Sequence, residues 1–303
     1  MISFVGAGPG APDLLTLRAA DRLGRADVVV WASSLVPESV LEHASADAVV
    51  HDSAGMTFED VVGVYSSVDD SAWVVRLHSG DLALYSAVQE QVDWCVAAGR
   101  SWEIVPGVGS LAAASALLGR ELTMPGVAQS VVSTRLPGRT AASMPAGETV
   151  AAFSRHRTTM AVYLSALRPR QLVEELLDDG RGYPPDTPAA FVVRASWPDE
   201  RVVLTTVGEL ADAMDADGAR TAALVLVGPA LAGAAPRCHL YDPGYAHGYR
   251  RRSLPGTTSG RPTARPVRRT GDAEVPLRSS TVPSSPPAPT PAELVTRENP
   301  CGT

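Results

Sequence analysis

Lysine is absent: all 26 basic side chains are arginine. Every fixed side-chain cation is therefore a planar fork suited to carboxylates, although a biased genome produces the same composition. Cysteine is scarce as well. Cys95, Cys238 and Cys301 are scattered and odd in number, and the lack of any Cys-x-x-Cys pairing argues against a disulfide framework or a zinc ribbon. The six histidines include no His-x-x-x-His, so no metal site is expected. Neither a Gly-x-Ser-x-Gly elbow nor a Walker loop occurs, which removes the commonest hydrolase and NTPase readings. No basic leader precedes the first apolar stretch, and no apolar run nears the roughly twenty residues needed to span a bilayer. A cytoplasmic protein without a membrane partner is expected.

What is present is a chain of 303 residues, 45% hydrophobic and 19% charged, enough to bury substantial cores in about two domains. The net charge of -7 is uneven: from Arg250 onward nine arginines face four acidic residues, leaving -12 in the body. An acidic body argues against nucleic acid as the main partner, because that affinity is built from cations neutralising phosphates.

The sequence is organised around Val75-Arg-Leu-His-Ser-Gly-Asp-Leu-Ala-Leu-Tyr85, where an apolar strand breaks into small polar residues and then returns to a helical pattern. Ser79-Gly80-Asp81 would lie at the carboxyl end of that strand, where open α/β sheets bind ligands. Gly80 permits close approach to backbone, while Asp81 can accept from an ammonium or hydroxyl and cap the next helix. Plain turn chemistry accounts for the same three residues. Elsewhere, strands are expected over 2–5, 28–31, 49–50 and 102–105, alternating with helices over 14–23, 37–43, 58–68, 88–96 and 111–118. Glycine-bearing turns thus follow three strands, at 6–10, 79–81 and 107–110. In a parallel sheet they share one edge and describe a single ligand site. The first turn is not a dinucleotide fingerprint, since Pro9 and the early third glycine break Gly-x-Gly-x-x-Gly.

Near residue 120 the pattern changes, giving an N-terminal α/β domain over 1–120 and a mixed α/β domain over 121–250. The second should hold strands over 127–134, 190–193, 202–206 and 222–227, helices over 169–177 and 207–214, and apolar segments at 150–153 and 160–164. The short link between 190–193 and 202–206 makes that pair antiparallel. Residues 251–303, rich in Pro, Ser, Thr and Arg, read as a disordered tail. Arg135, Arg139, Arg155, His156 and Arg157 suggest a polycarboxylate or phosphate ligand, or else a solvated basic surface. His78 is either a proton acceptor beside the crevice or a hydrogen-bonded structural residue.

Four segments taken together resemble the tetrapyrrole methylase family: Val5-Gly-Ala-Gly-Pro-Gly-Ala-Pro-Asp-Leu-Leu-Thr-Leu-Arg18, Arg76-Leu-His-Ser-Gly-Asp-Leu-Ala-Leu-Tyr85, Val105-Pro-Gly-Val-Gly-Ser110 and Thr159-Met-Ala-Val-Tyr-Leu-Ser-Ala166. Leu122-Thr-Met-Pro-Gly-Val-Ala-Gln129, Thr134-Arg135, Gly138-Arg139-Thr140 and Leu240-Tyr-Asp-Pro-Gly-Tyr-Ala-His-Gly-Tyr-Arg250 look like its branch acting on corrin precursors. The likeness covers about residues 1 to 250. It implies two α/β domains with S-adenosylmethionine in the cleft between them, a homodimer, and a polycarboxylate tetrapyrrole substrate. By the same resemblance, Pro9, Ser79, Gly80, Asp81, Leu84, Gly109, Ser110, Leu164 and Ala195 would contact the cofactor, and Arg135 and Arg139 the substrate carboxylates. Asp81 and His78 are the weak catalytic candidates. There are departures. Leu82 replaces the proline of Gly-Asp-Pro and is expected to loosen the turn, and Gly126 stands where Glu is frequent. The Asp that relatives acting on uroporphyrinogen carry after the second strand is missing from Trp31-Ala32-Ser33-Ser34. A relative methylating a different ring carbon or another substrate such as ribosomal RNA, and a non-catalytic tetrapyrrole carrier, are the alternatives.

Overall fold

The computed structural model describes residues 1–138, 141–233, 237–242, 244–248, 250 and 253. The expected disordered tail, Ser253 apart, lies outside them, as do Arg139 and Cys301. Met1–Pro236 packs as one compact unit, and the described residues from Arg237 onward belong to another. In the latter, the Arg250 guanidinium donates to the carbonyl oxygens of Asp242 at 2.9 Å and Tyr245 at 3.2 Å.

The first sheet is built from β1 (Ile2–Gly6), β2 (Val28–Trp31), β3 (Val49–Asp52), β4 (Val74–His78) and β5 (Trp102–Val105), in the order β3-β2-β4-β1-β5. All its pairings are parallel. Parallel strands need crossovers that cover both faces, so β1 is buried throughout. Val5, Val29, Val75 and Leu77 face α1 (Leu17–Gly24), and Ile2, Phe4, Val28 and Val30 face α2 (Phe58–Ser67) and α3 (Val88–Ala97). Thr16 caps α1 through the Ala19 N–H, and Thr57 with Asp60 forms a capping box on α2.

The second sheet holds β6 (Val131–Arg135), β7 (Thr159–Tyr163), β8 (Pro188–Val193), β9 (Arg201–Thr206) and β10 (Ala223–Val227), in the order β6-β7-β10-β8-β9. Only β6 and β7 run parallel, and β8 and β9 are antiparallel as their short link required. One face packs on α5 (Val150–Ser154), α6 (Pro169–Leu177) and α7 (Leu210–Asp217). The other carries Ala161, Ala190, Val192, Leu224 and Leu226 against α4 (Ser110–Leu118). Its small side chains explain why this alanine-rich helix, which follows the first sheet in sequence, lies close on the second. The apolar segment 150–153 is helical, and 160–163 belongs to β7, which ends before Leu164.

Candidate functional site

Strand order places β4, β1 and β5 side by side, so the three glycine turns leave one edge of the sheet. They touch through backbone. Gly8 N–H donates to Gly80 O at 3.1 Å, Gly80 N–H returns a bond to Gly8 O at 2.8 Å, and Ala7 N–H donates to His78 O at 2.8 Å. A Cβ on Gly6 would sit 2.6 Å from the Gly107 nitrogen and 2.8 Å from the Gly80 oxygen, distances no side chain tolerates. Gly8 and Gly80 themselves have φ of 77° and 68°, the left-handed region glycine occupies freely.

Around this knot the predicted residues come together. Pro9 is half-buried beside it and Ser79 is exposed. One Asp81 carboxylate oxygen accepts from Ala83 N–H at 2.7 Å, and the other rests where a Gly109 side chain would lie. The expected capping of the next helix by Asp81 is corrected: α3 begins only at Val88, behind Ala87 in a left-handed conformation with no side-chain cap. Asp81 instead closes a local Asx turn. Leu82 does not leave that turn loose, because it is buried in the core with Phe4 and Val30.

The second sheet supplies the facing wall. Tyr163 is hydrogen-bonded to Ser110 at the start of α4, and burial raises its phenol pKa. Its ring lies 5.1 Å from that of Tyr85, whose own pKa is raised by burial and opposed by the nearby Arg135. Leu84 and Leu164 are exposed at the rims and Ala195 is buried. Tyr85, Ala87, Leu164, Arg194 and Ser196 all take positive φ without being glycine, between 50° and 69°.

Two expectations are revised. The run Arg135 to Arg157 does not form one basic cluster. Val131 pairs with Thr159 and Arg135 with Tyr163, so Arg135 and Arg157 lie at opposite ends of the β6/β7 pair. Arg155 is paired with Asp178 at 2.6 Å, and Arg157 donates to Gly182 O at 2.7 Å. His78, for its part, is buried against Phe4 with its pKa pushed down to about 3, chiefly by burial and then by Arg76. It is a buried core imidazole, hydrogen-bonded to the Ser86 backbone, with Nε2 left without a partner among the described residues.

Sequence reasoning missed two arrangements. Although no acidic residue follows β2, Asp52 at the end of β3 accepts from the Ser33 hydroxyl at 2.7 Å and from its N–H at 3.1 Å, which holds the Asp52 carboxyl below its usual range. The other is the turn after β8, where the Trp197 indole N–H donates to Pro9 O at 2.9 Å. A lone tryptophan in a polar turn was the available signal.

Two five-stranded sheets, with the glycine turns of the first knotted through backbone and joined to the second by Tyr163 and Trp197, define an α/β enzyme fold. The profile of the Tetrapyrrole (Corrin/Porphyrin) Methylases matches residues 1–211, and the chain belongs to that family. It is accordingly a methyltransferase. Among its relatives, a precorrin-4 C(11)-methyltransferase of Sinorhizobium sp is 43% identical over 83% of this chain and 98% of the relative. A solved cobalt precorrin-4 methyltransferase, a cobalamin biosynthetic enzyme, superposes with a TM-score of 0.72 at 39% identity, covering 77% of this chain and 96% of that one. The uroporphyrin-III C-methyl transferase of Thermus thermophilus, solved with S-adenosyl homocysteine, gives 0.62 at 30% identity over 76% and 98%.

Proposed function

We propose that the protein methylates C-11 of precorrin-4 with S-adenosylmethionine, giving precorrin-5 in cobalamin biosynthesis. The observation that carries this reading is the knot of three glycine turns with Asp81 set against Gly109, in a chain 43% identical to a relative of that name. The cradle suits the cofactor, since a Cβ at Gly6, Gly107 or Gly109 would fill it or force its walls apart. S-adenosylmethionine supplies an electrophilic methyl carbon, and the protein's main task is alignment and exclusion of water. Pro9, Ser79, Gly80, Gly109 and Ser110 would line the donor, with Asp81 accepting from its ammonium and Leu84, Leu164 and Ala195 covering its apolar parts. Arg135, and Arg139 from outside the described residues, would hold substrate carboxylates by forked charge-assisted bonds. Tyr85 and Tyr163 would close the wall. No general base is assigned, and buried His78 is not one.

Cobalt-precorrin-4 is the second reading, supported by the name of the solved relative, a cobalt precorrin-4 methyltransferase. We further propose a boundary between catalytic domains at 120/121, since no strand crosses it, a homodimer, and a cytoplasmic location. Titration calorimetry with S-adenosylhomocysteine, then mass detection of methyl transfer to precorrin-4 and to its cobalt complex, tests the proposal. Micromolar binding with one added methyl on precorrin-4 is expected. A well-folded protein that bound neither S-adenosylmethionine nor S-adenosylhomocysteine would overturn it and bring the carrier alternative forward.

A further inference from the structure

The turn joining β8 to β9 reaches from the second sheet to the first glycine turn and fastens it at three consecutive residues. Trp197 donates its indole N–H to Pro9 O at 2.9 Å, and the Ser196 hydroxyl accepts from Ala11 N–H at 3.0 Å. Between them, Gly10 lies flat under the indole: a Cβ there would stand 3.0 Å from Cγ and nearer still to Cδ1 and Nε1. The fastening turn is itself braced. Arg194 stacks over the indole with its guanidinium carbon 4.1 Å from the ring centroid, and reaches Asp199 at 3.1 Å. Glu200 accepts from Ser196 N–H at 2.7 Å. Arg194 and Ser196 hold left-handed backbone conformations at φ of 50° and 69°, which side chains adopt at some cost and which persist only where surroundings impose them.

The Gly6-to-Gly10 turn is thus gripped on both sides, by Gly80 through paired backbone bonds and by the Trp197 turn. The second grip fixes the Pro9 carbonyl and the plane of Gly10 on the far flank. We infer that Trp197 and Ser196 are positioning residues, which set the first glycine turn for the methyl donor from the opposite lobe. This rests on the donor site proposed above. Two consequences separate positioning from mere packing. The effect should fall on donor affinity more than on the chemical step, and Trp197 should be coupled to Gly10, whose flatness matters only while the indole covers it.

The test uses the full chain with Trp197→Phe, which keeps an aromatic ring and loses the indole donor, alongside Ser196→Ala, Gly10→Ala, Trp197→Ala and the double variant Gly10→Ala/Trp197→Ala. Melting and S-adenosylhomocysteine affinity are measured for each, with donor KM and kcat where substrate is supplied. Losing one hydrogen bond to a backbone carbonyl should weaken S-adenosylhomocysteine by about three- to tenfold in Trp197→Phe. Donor KM should rise by more than kcat falls, and the melting temperature should shift little. Gly10→Ala should lose more affinity in the wild-type background than in Trp197→Ala. Wild-type affinity in both Trp197→Phe and Ser196→Ala, while the wild type binds S-adenosylhomocysteine normally, would overturn the positioning role and leave the donor site standing. Absence of binding by the folded wild type would overturn both.

Discussion

Replacing Gly107 by alanine probes the knot where its tolerance is smallest. The new methyl would meet the Gly6 carbonyl carbon and Cα at 2.8 Å each, and the Gly80 carbonyl oxygen closer still. Carbon atoms rest at about 3.5–4.0 Å, so the β1 and β5 turns must separate by roughly 0.7 Å or more. All three neighbours are backbone, and no side chain can swing away to absorb the change. Overpacking of this kind costs about 1–3 kcal/mol. For a unit of this size that lowers the melting temperature by about 2–12 °C. The functional loss should be larger, since misplacing a bound reactant by about 1 Å can reduce turnover about 100-fold. Calorimetric melting and S-adenosylhomocysteine titration read both effects. Gly63→Ala is the matched control: it lies inside α2 with nothing within 4 Å of a new Cβ, and should stabilise by about 1 kcal/mol. A Gly107→Ala protein that melts and binds like the wild type would refute the close-contact argument.

Asp81→Ala should fold normally yet bind S-adenosylmethionine about 10- to 150-fold more weakly, the range for a hydrogen bond to a charged group, as circular dichroism and calorimetry would show; unchanged affinity would remove Asp81 from the site. His78 gives a pH prediction. Folded, it titrates at about 3 against 6.5 when unperturbed, so between those values the unfolded chain holds the extra proton. Its contribution is complete above pH 6.5 and is lost on acidification, by up to about 1.4 kcal/mol per pH unit. Denaturant unfolding of His78→Gln should show a shallower acid slope than the wild type, and parallel slopes would contradict the buried neutral assignment.

The sheets and the three-turn edge were legible because parallel βα units carry their own signals: an apolar run, a glycine turn, then helical spacing. Pro169–Leu177 was read to the residue, since proline at the first turn and the apolar rhythm both mark it. The stretch 82–87 was not, because Leu82, Leu84 and Tyr85 mimic a helical pattern while Tyr85 and Ala87 adopt left-handed backbone that only tertiary packing selects. The basic cluster failed for a different reason. Spacing places Arg135 and Arg157 near one another in sequence, but β6 and β7 carry them to opposite ends. The Trp197 contact with Pro9 spans 188 residues, and no local pattern encodes such a distance.

The left-handed residues Tyr85, Ala87, Leu164, Arg194 and Ser196 have a consequence for anyone who evolves this protein toward heat resistance. Each holds back on the order of 1 kcal/mol that glycine would release. A screen for survival at high temperature would therefore be drawn to glycine at these positions, and the winners would trade away the backbone shape that now sets the side chains of Tyr85 and Leu164. Thermostable variants that keep activity should instead arise far from this rim, at sites such as Gly63, where rigidity and catalysis do not compete.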